Sequence, residues 1–332
     1  MKKIALAAAL AATAAAPAFA QSVTLWGRLN TSVESQKIGS LDRKMVVQNN
    51  SSRLGFKGNE DLGGGLKASF SLEHGLESDT GAASGGTTFW NRASWVQLEG
   101  SFGGVRLGKW FPGSYFATAD YVSNHNHDTG TSADALYATH FLRNNKVSYF
   151  TPTAGGFSAE FAVSAGEGAT PRGEDVAVNY DVGPAHAGLG YEKHGDFTQI
   201  ALRGLYEFGP VIVGGYVQRA ENTFGAAGKK NWNVYRLSGM YVMGQSEFHL
   251  NFGKADNILG DDGAKQLTVG YNYNLSKRTK VYGFWTKIDN QSKGTYEPNA
   301  SITVAGFPRV ASGSIVGGTD FSSLAVGIRH NF

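Results

Sequence analysis

Cysteine is absent from the 332-residue sequence, so neither disulfide bonds nor cysteine-ligated metal sites can stabilise the fold. Long hydrophobic runs are also missing: after Ala20 no stretch of roughly 18 or more apolar residues occurs, which excludes a transmembrane helix. The excess of one charge is small, with 30 Lys and Arg against 27 Asp and Glu, and gives no general reason to expect binding to nucleic acid. Backbone hydrogen bonds and packing must therefore stabilise the fold.

The N-terminal segment has the composition of an export signal. Two lysines precede an apolar run, residues 4–16, that is too short to span a bilayer. Ala18 and Ala20 supply the small residues that a signal peptidase requires, which predicts cleavage after Ala20. We therefore expect residues 1–20 to be a signal peptide and residues 21–332 to form one mature domain, in which 30 − 2 = 28 basic side chains face 27 acidic ones.

Alternation of apolar and polar residues is the dominant pattern in the mature sequence. Between positions 266 and 275, Leu, Val or Tyr occupies every odd position and Gln, Thr, Gly or Asn every even one. A period of two places the apolar side chains on one face of a β-strand, whereas a helix would scatter them. The pattern recurs with apolar residues at 23/25, 68/70/72, 157/159/161/163, 176/178/180/182, 248/250/252 and 324/326/328.

Short turns alternate with longer connections along the chain. The short turns lie near residues 62–65, 101–104, 152–156, 183–185, 209–210, 244–246 and 276–278, and the longer connections span 38–45, 78–88, 110–142, 166–174, 194–196, 221–231, 255–263 and 289–318. These breaks separate sixteen strands, and the 332 − 20 = 312 mature residues allow strands of about ten residues tilted across a bilayer. We therefore predict an all-β fold, a sixteen-stranded antiparallel transmembrane β-barrel that is wide enough to hold water.

Four segments carry more specific motifs: SVTLWGR at residues 22–28, SRLGFKGNEDLGGGL at 52–66, Asn91-Arg92 before Val96 and Leu98, and VGIRHNF at 326–332. They resemble the general porins of Gram-negative outer membranes, in the branch typical of β-proteobacteria. The resemblance implies a homotrimer in contact with outer-membrane lipid and lipopolysaccharide, with a third extracellular loop that folds into the lumen and narrows it. It also implies that Phe332 is read by the barrel-assembly machinery.

Strand parity places several basic side chains on the predicted lumen face. They are Arg28 on the first strand, Arg53 and Lys57 on the second, and Lys146 on the sixth, with Arg143 at the upper end of that strand. Counting from Val96 and Leu98 puts Arg92 on the outer face. The resemblance nevertheless implies an arginine at this position of the constriction wall, which would require a bulge or a position above the lipid.

The third long connection, residues 110–142, lacks sustained alternation, and strand counting places it at the expected constriction. Its acids are Asp120, Asp128 and Asp134. Opposite charges across a narrow aqueous gap create a transverse field that sorts permeating ions. The sequence therefore predicts an outer-membrane channel for passive diffusion of small hydrophilic solutes and ions, with a mild preference for anions and no cofactor.

Other functions are compatible with parts of the pattern. A channel that prefers small organic acids is the nearest alternative, and an adhesin or receptor could use residues 289–318 as an exposed loop. A secreted β-sandwich also has alternating strands but rarely needs so many, and no Ser-His arrangement of an outer-membrane enzyme can be assembled from the sequence. The segment from His125 to Asp128 could bind a metal ion, although ordinary loop histidines explain it equally simply.

Overall fold

The computed structural model describes residues 22–122, 130–298 and 317–332. The expected signal peptide, residues 125–128 and most of the last long connection lie outside these ranges. Within them, seventeen β-strands form one antiparallel sheet. The strands are β1 (Ser22–Ile38), β2 (Lys44–Asn49), β3 (Ser52–Gly63), β4 (Leu66–Leu76), β5 (Ala93–Gly100), β6 (Gly103–Lys109), β7 (Lys146–Phe150), β8 (Phe157–Ser164), β9 (Gly173–Val182), β10 (Ala185–His194), β11 (Phe197–Phe208), β12 (Val211–Thr223), β13 (Lys229–Met243), β14 (Ser246–Ala255), β15 (Ala264–Asn274), β16 (Thr279–Asn290) and β17 (Phe321–Asn331).

Strands β2 and β3 are the two halves of one barrel strand. Both pair with the same edge of β1, and between them Ser51 adopts a left-handed backbone conformation, with φ of 56°, that interrupts the ladder. On its other edge, β1 pairs with β17 from Arg28↔Asn331 to Ile38↔Phe321 and closes the sheet. The described strands therefore make a closed sixteen-stranded barrel, which confirms the predicted fold.

The two faces of the strands are inverted relative to those of a soluble protein. On β15, Val269 is 47% exposed, whereas the neighbouring Thr268 is 0% exposed. On β1, Val23 and Leu25 are likewise exposed while Asn30 is buried. Apolar side chains thus point outward, where lipid can cover them, and polar side chains point inward. Closure of the sheet pairs the backbone groups of the wall, as a lipid environment requires.

Phe332 links the first and last strands of the barrel at the line where they pair, called here the seam. Its backbone N–H donates to the Gly27 carbonyl, and its own carbonyl accepts from the Gly27 N–H, both at 3.1 Å. The phenyl ring lies directly on Gly27, where any Cβ would overlap it. Glycine at this position therefore allows the terminal ring to pack against the seam.

Helical structure is confined to connections. A short helix, Gly113–Tyr115, continues into a π-helical turn, Phe116–Asp120, between β6 and β7. A 3-10 turn, Gly225–Ala227, follows β12. No helix in the described part of the chain is long and apolar enough to cross a membrane.

Candidate functional site

The connection between β6 and β7, called here the β6–β7 loop, is bound by side chains on the polar face of the wall; its described parts are residues 110–122 and 130–145. Asp175 on β9 accepts hydrogen bonds from the backbone N–H groups of Gly113, at 2.7 Å, and Ser114, at 3.0 Å. Glu192 on β10 accepts three more, from the Thr139 hydroxyl and from the N–H groups of His140 and Leu142. Both acids are buried. They accept hydrogen bonds from loop N–H groups that have no partner in a regular helix or strand.

Two glutamines bind the loop backbone through both the oxygen and the nitrogen of their side-chain amides. Gln218 on β12 accepts from the Ala138 N–H at 2.9 Å and donates to the Ala138 carbonyl at 2.7 Å. Gln266 on β15 accepts from the Ala135 N–H at 3.0 Å and donates to the Ala133 carbonyl at 2.7 Å. The side chains thus act as a substitute for a neighbouring strand, and they hold the second half of the loop along the wall.

Glycines on β10 make room for the first half of the loop. A Cβ at Gly190 would lie 2.5 Å from the Ser114 carbonyl oxygen, and one at Gly188 would overlap the Ala117 carbonyl. Arg203 on β11 donates to that same Ala117 carbonyl at 2.8 Å. The short helix therefore rests directly on the backbone of the wall.

Two of the predicted pore residues are buried in ion pairs beneath the loop. Lys146 Nζ lies 3.0 Å from Asp175 Oδ2, with side chains that are 0% and 2% exposed. Asp134 Oδ2 lies 3.1 Å from Arg236 Nη1 on β13, with both side chains 1% exposed, and the Tyr216 hydroxyl also donates to it. The expectation that Lys146 and Asp134 present open charges to the lumen therefore needs correction. The loop covers Lys146, Asp134 of the loop is buried against the wall, and an ion-pair partner compensates each charge.

Three predicted arginines form one connected group, because Arg92 and Arg143 lie over the ring of Phe111 and Arg53 shares a carboxylate with Arg92. We call Arg53, Arg92 and Arg143 the arginine cluster. The Cζ atoms of Arg92 and Arg143 lie 4.9 Å and 5.2 Å from the centre of the Phe111 ring. Arg92 and Arg53 share the carboxylate of Glu73 on β4, with N···O distances of 2.5 Å and 3.5 Å. Burial lowers the pKa of Arg143, but a guanidinium remains protonated at neutral pH. Within the described residues, one ring and one carboxylate thus connect three guanidinium groups.

Arg92 reaches the cluster because it precedes β5 and does not belong to it. The β4–β5 ladder ends at the pair Glu73↔Ala93, and the Arg92 N–H donates to the Glu73 carbonyl at 3.2 Å. The chain bends at this residue, so the outward parity counted from Val96 and Leu98 no longer applies. A position just before β5, where the ladder has ended, allows the side chain to reach Glu73.

The remaining predicted residues make other contacts, although Arg28 is the cross-strand partner of Arg53. Arg28 Nε donates to Asn331 Oδ1 at 3.1 Å, near the seam, and Lys57 Nζ lies 6.0 Å from the centre of the Trp26 ring. Asp120 ends the π-helical turn and is half-buried. Asp128 lies outside the described residues.

Sequence reasoning missed several wall residues whose parity was readable. Glu73 follows the outward Phe70 and Leu72 and therefore had to point inward. Arg106 lies between Val105 and Leu107, which are both exposed, and its guanidinium stacks on Trp95 at 4.1 Å. Parity gave the direction of these side chains, but only the folded loop shows which of them bind it.

Metal ligands are not assembled in the described part of the chain, where no group of three or more His, Cys, Asp or Glu side chains is arranged to hold an ion. The segment from His125 to Asp128 lies outside the described residues.

Comparison with known proteins matches the chain to a family described as Gram-negative porin over residues 5–293. Outer membrane porin protein 32 of Delftia acidovorans is 33% identical over the full length of both chains. Among solved structures, an anion-selective porin from Comamonas acidovorans superposes with a TM-score of 0.81 at 32% identity, covering 94% of this chain and 100% of its own. OmpT of Vibrio cholerae, described in a trimer form, shares the fold with a TM-score of 0.67 at 17% identity, covering 94% of this chain and 100% of its own.

Proposed function

Because this chain belongs to the Gram-negative porin family and forms a water-filled diffusion channel in the outer membrane, we propose that the channel prefers small anions. The single observation that carries the proposal is the arginine cluster, in which Arg92 and Arg143 lie over the Phe111 ring and Arg92 and Arg53 share the carboxylate of Glu73. An aqueous passage beside an excess of positive charge concentrates anions and repels cations. The similarity to a porin described as anion-selective supports the same sign.

The β6–β7 loop is proposed to narrow the passage and hold the arginine cluster at its narrowest part. Support comes from the wall side chains that bind it and from Phe111, which the loop contributes to the cluster. Lys146 and Asp134 then act as anchors of the loop. Among the loop acids, Asp120 and Asp128 remain as groups that would moderate the preference for anions.

Arg28 and Lys57 are proposed to extend the basic wall from the cluster toward the periplasmic rim. Arg28 is the cross-strand partner of Arg53, so the two like charges lie side by side on neighbouring strands. Such a pair is unfavourable in isolation and becomes favourable when an anion passes between them. The same passage is expected to accept small organic acids, which carry the same charge.

The assembly is proposed to be a homotrimer of residues 21–332, formed after removal of residues 1–20. The exposed apolar face of the barrel is suited to contact lipid, lipopolysaccharide and neighbouring subunits. Phe332 is proposed as the signal for the barrel-assembly machinery, since its backbone pairs with Gly27 where the first and last strands close the barrel. A channel of this kind requires no catalytic residue and no cofactor.

The preference is tested by the reversal potential of the purified protein in a planar bilayer under a KCl gradient. We expect a potential whose sign shows that Cl⁻ permeates faster than K⁺. Raising the salt concentration on both sides should weaken the preference, because the Debye length falls from ~10 Å at 0.1 M to ~3 Å at 1 M. Clear selectivity for K⁺ would overturn the proposal.

A further inference from the structure

A cavity of about 410 Å³ lies between the second half of the β6–β7 loop and the extracellular ends of β11, β12 and β13. This volume is within the range of small-molecule sites in proteins, roughly 300–1,000 Å³. None of the residues of the arginine cluster lines it. Its walls are largely aromatic and come from Tyr137, Phe197, Phe224, Trp232 and Tyr296.

Aromatic residues on the inner face of a barrel wall are unusual, because that face meets water. Phe197 and Trp232 share the parity of the buried polar residues on their strands and are only 5% and 8% exposed. They join an apolar cluster with Leu136, which the loop packs against the wall. The cavity is the part of this cluster that the loop leaves open, with Phe224 and Tyr296 half-buried at its edge.

One positive charge stands beside this apolar surface. Lys230 lies two residues before Trp232 on the same face of β13, and its cross-strand partner is Asn222, which lines the cavity. Lys230 is half-buried as a residue, and within the described residues its ammonium group has no hydrogen bond or ion pair. Its neighbour Lys229 differs in both respects, since it is 63% exposed and lies 2.5 Å from Glu221. Lys230 does not itself line the cavity, but it is next to two residues that do, Asn222 across the strands and Trp232 along the same face of β13.

No acid lines the cavity within the described residues, although burial and the nearby Asp262 and Asp256 raise the pKa of Tyr296. Both carboxylates already have partners, since Asp256 pairs with Lys254 and Asp262 accepts from two backbone N–H groups. The carboxylate of Glu192 underlies Thr139 and His140 but is fully buried and accepts three hydrogen bonds from the loop. Burial, together with the neighbouring His194, lowers the pKa of His140, so its imidazole is neutral at pH 7. The cavity thus has an aromatic wall with neutral polar groups, and the ammonium-bearing residue Lys230 lies beside it.

From this combination we propose that the cavity binds small aromatic carboxylates, with the ring against Trp232 and Phe224 and the carboxylate at Lys230. Aromatic side chains bind a flat ring by stacking and edge contacts, and a partly desolvated ammonium group forms a charge-assisted hydrogen bond with a carboxylate. The inference rests on the proposed function, since it supplies the anion-preferring channel with a first binding site for one class of solute on its extracellular side.

The test is single-channel recording in symmetric KCl with benzoate added on the extracellular side. In the wild type we expect concentration-dependent blockades of the current by benzoate, weaker ones by benzyl alcohol, which has the ring without the charge, and none by acetate, which has the charge without the ring. Lys230→Gln should lower the apparent affinity for benzoate by about tenfold, the effect of losing one charged hydrogen bond. Lys229→Gln, the matched control on the opposite face, should leave it unchanged.

The inference is overturned if benzoate blocks no more than acetate in a channel that conducts KCl with the expected selectivity, or if the two lysine variants change the affinity equally. Selectivity for K⁺ or absence of conductance would instead contradict the proposed function, and the inference with it. Phe224→Ala, at the half-buried edge of the cavity, provides a second check and should weaken binding of benzoate and benzyl alcohol alike, because it removes a ring contact and no charge.

Discussion

Replacing Arg92 and Arg143 together by glutamine is expected to abolish the preference for anions. Both guanidinium groups lie about 5 Å from the centre of the Phe111 ring, at 4.9 Å and 5.2 Å. A unit charge about 5 Å from a permeating ion would contribute roughly 1–3 kcal/mol at effective dielectric constants between those of water and of a protein surface. The ratio of Cl⁻ to K⁺ permeability should therefore fall about tenfold or more, because each 1.4 kcal/mol corresponds to a factor of about ten.

The measurement is the reversal potential of the double variant in a KCl gradient. Arg219→Gln is the matched control, because Arg219 is an exposed arginine on the outward parity of β12. We expect the control to keep the wild-type potential. A double variant with an unchanged reversal potential would show that the arginine cluster does not determine selectivity.

Replacing Asp175 by alanine is expected to release the first half of the β6–β7 loop and to raise the conductance. Its carboxylate accepts from two loop N–H groups and pairs with Lys146, whose side chain is 0% exposed. Leaving one partner of a buried pair uncompensated costs about 3–5 kcal/mol. The loop can relieve this cost by moving off the wall and admitting water, so we expect larger and noisier channel currents and a lower unfolding temperature.

Two variants separate this effect from general damage. Asp196→Ala removes an exposed acid from the turn between β10 and β11 and should alter neither conductance nor melting. Lys146→Met leaves Asp175 with its two backbone donors, so the loop should stay attached and the conductance should rise less than in Asp175→Ala. Wild-type conductance and stability in Asp175→Ala would mean that this carboxylate does not hold the loop in place.

Strand parity predicted the barrel because the alternation within each strand shows which side chains lie on each face, without knowledge of the rest of the chain. The polar positions of β15, such as Gln266 and Thr268, are buried, and the apolar positions between them are exposed, as the alternation indicated. The turn pattern gave the number of strands for the same reason. The one irregular strand, interrupted at Ser51, still pairs with β1 on both sides of the break, so the count was unaffected.

The site was less predictable because its contacts join residues that are far apart in the chain. Gln266 binds a loop residue 131 positions away, and Thr131 of the loop donates to Glu34 across 97 positions. Parity placed Lys146 inward correctly but could not show that the loop would bury it. The sequence around Asp134 predicted an exposed acid in a loop, whereas its burial depends on the ion pair with Arg236. For Arg92, parity pointed outward and only the resemblance placed it in the constriction wall, because parity ends where the ladder ends.

The most direct test of the central claim, that the β6–β7 loop stands in the channel beside the arginine cluster, uses the absence of natural cysteine. Phe116 is 46% exposed on the π-helical turn, with its ring centre 6.0 Å from that of Phe111. A single Phe116→Cys variant can be treated in a bilayer with anionic and cationic methanethiosulfonate reagents, with Val217→Cys on the outer face of β12 as control. We predict that modification of the loop cysteine changes the KCl conductance and that the anionic reagent reacts faster, while the control channel is unaffected. Unchanged conductance after complete modification of the loop cysteine, or faster reaction with the cationic reagent, would contradict the account.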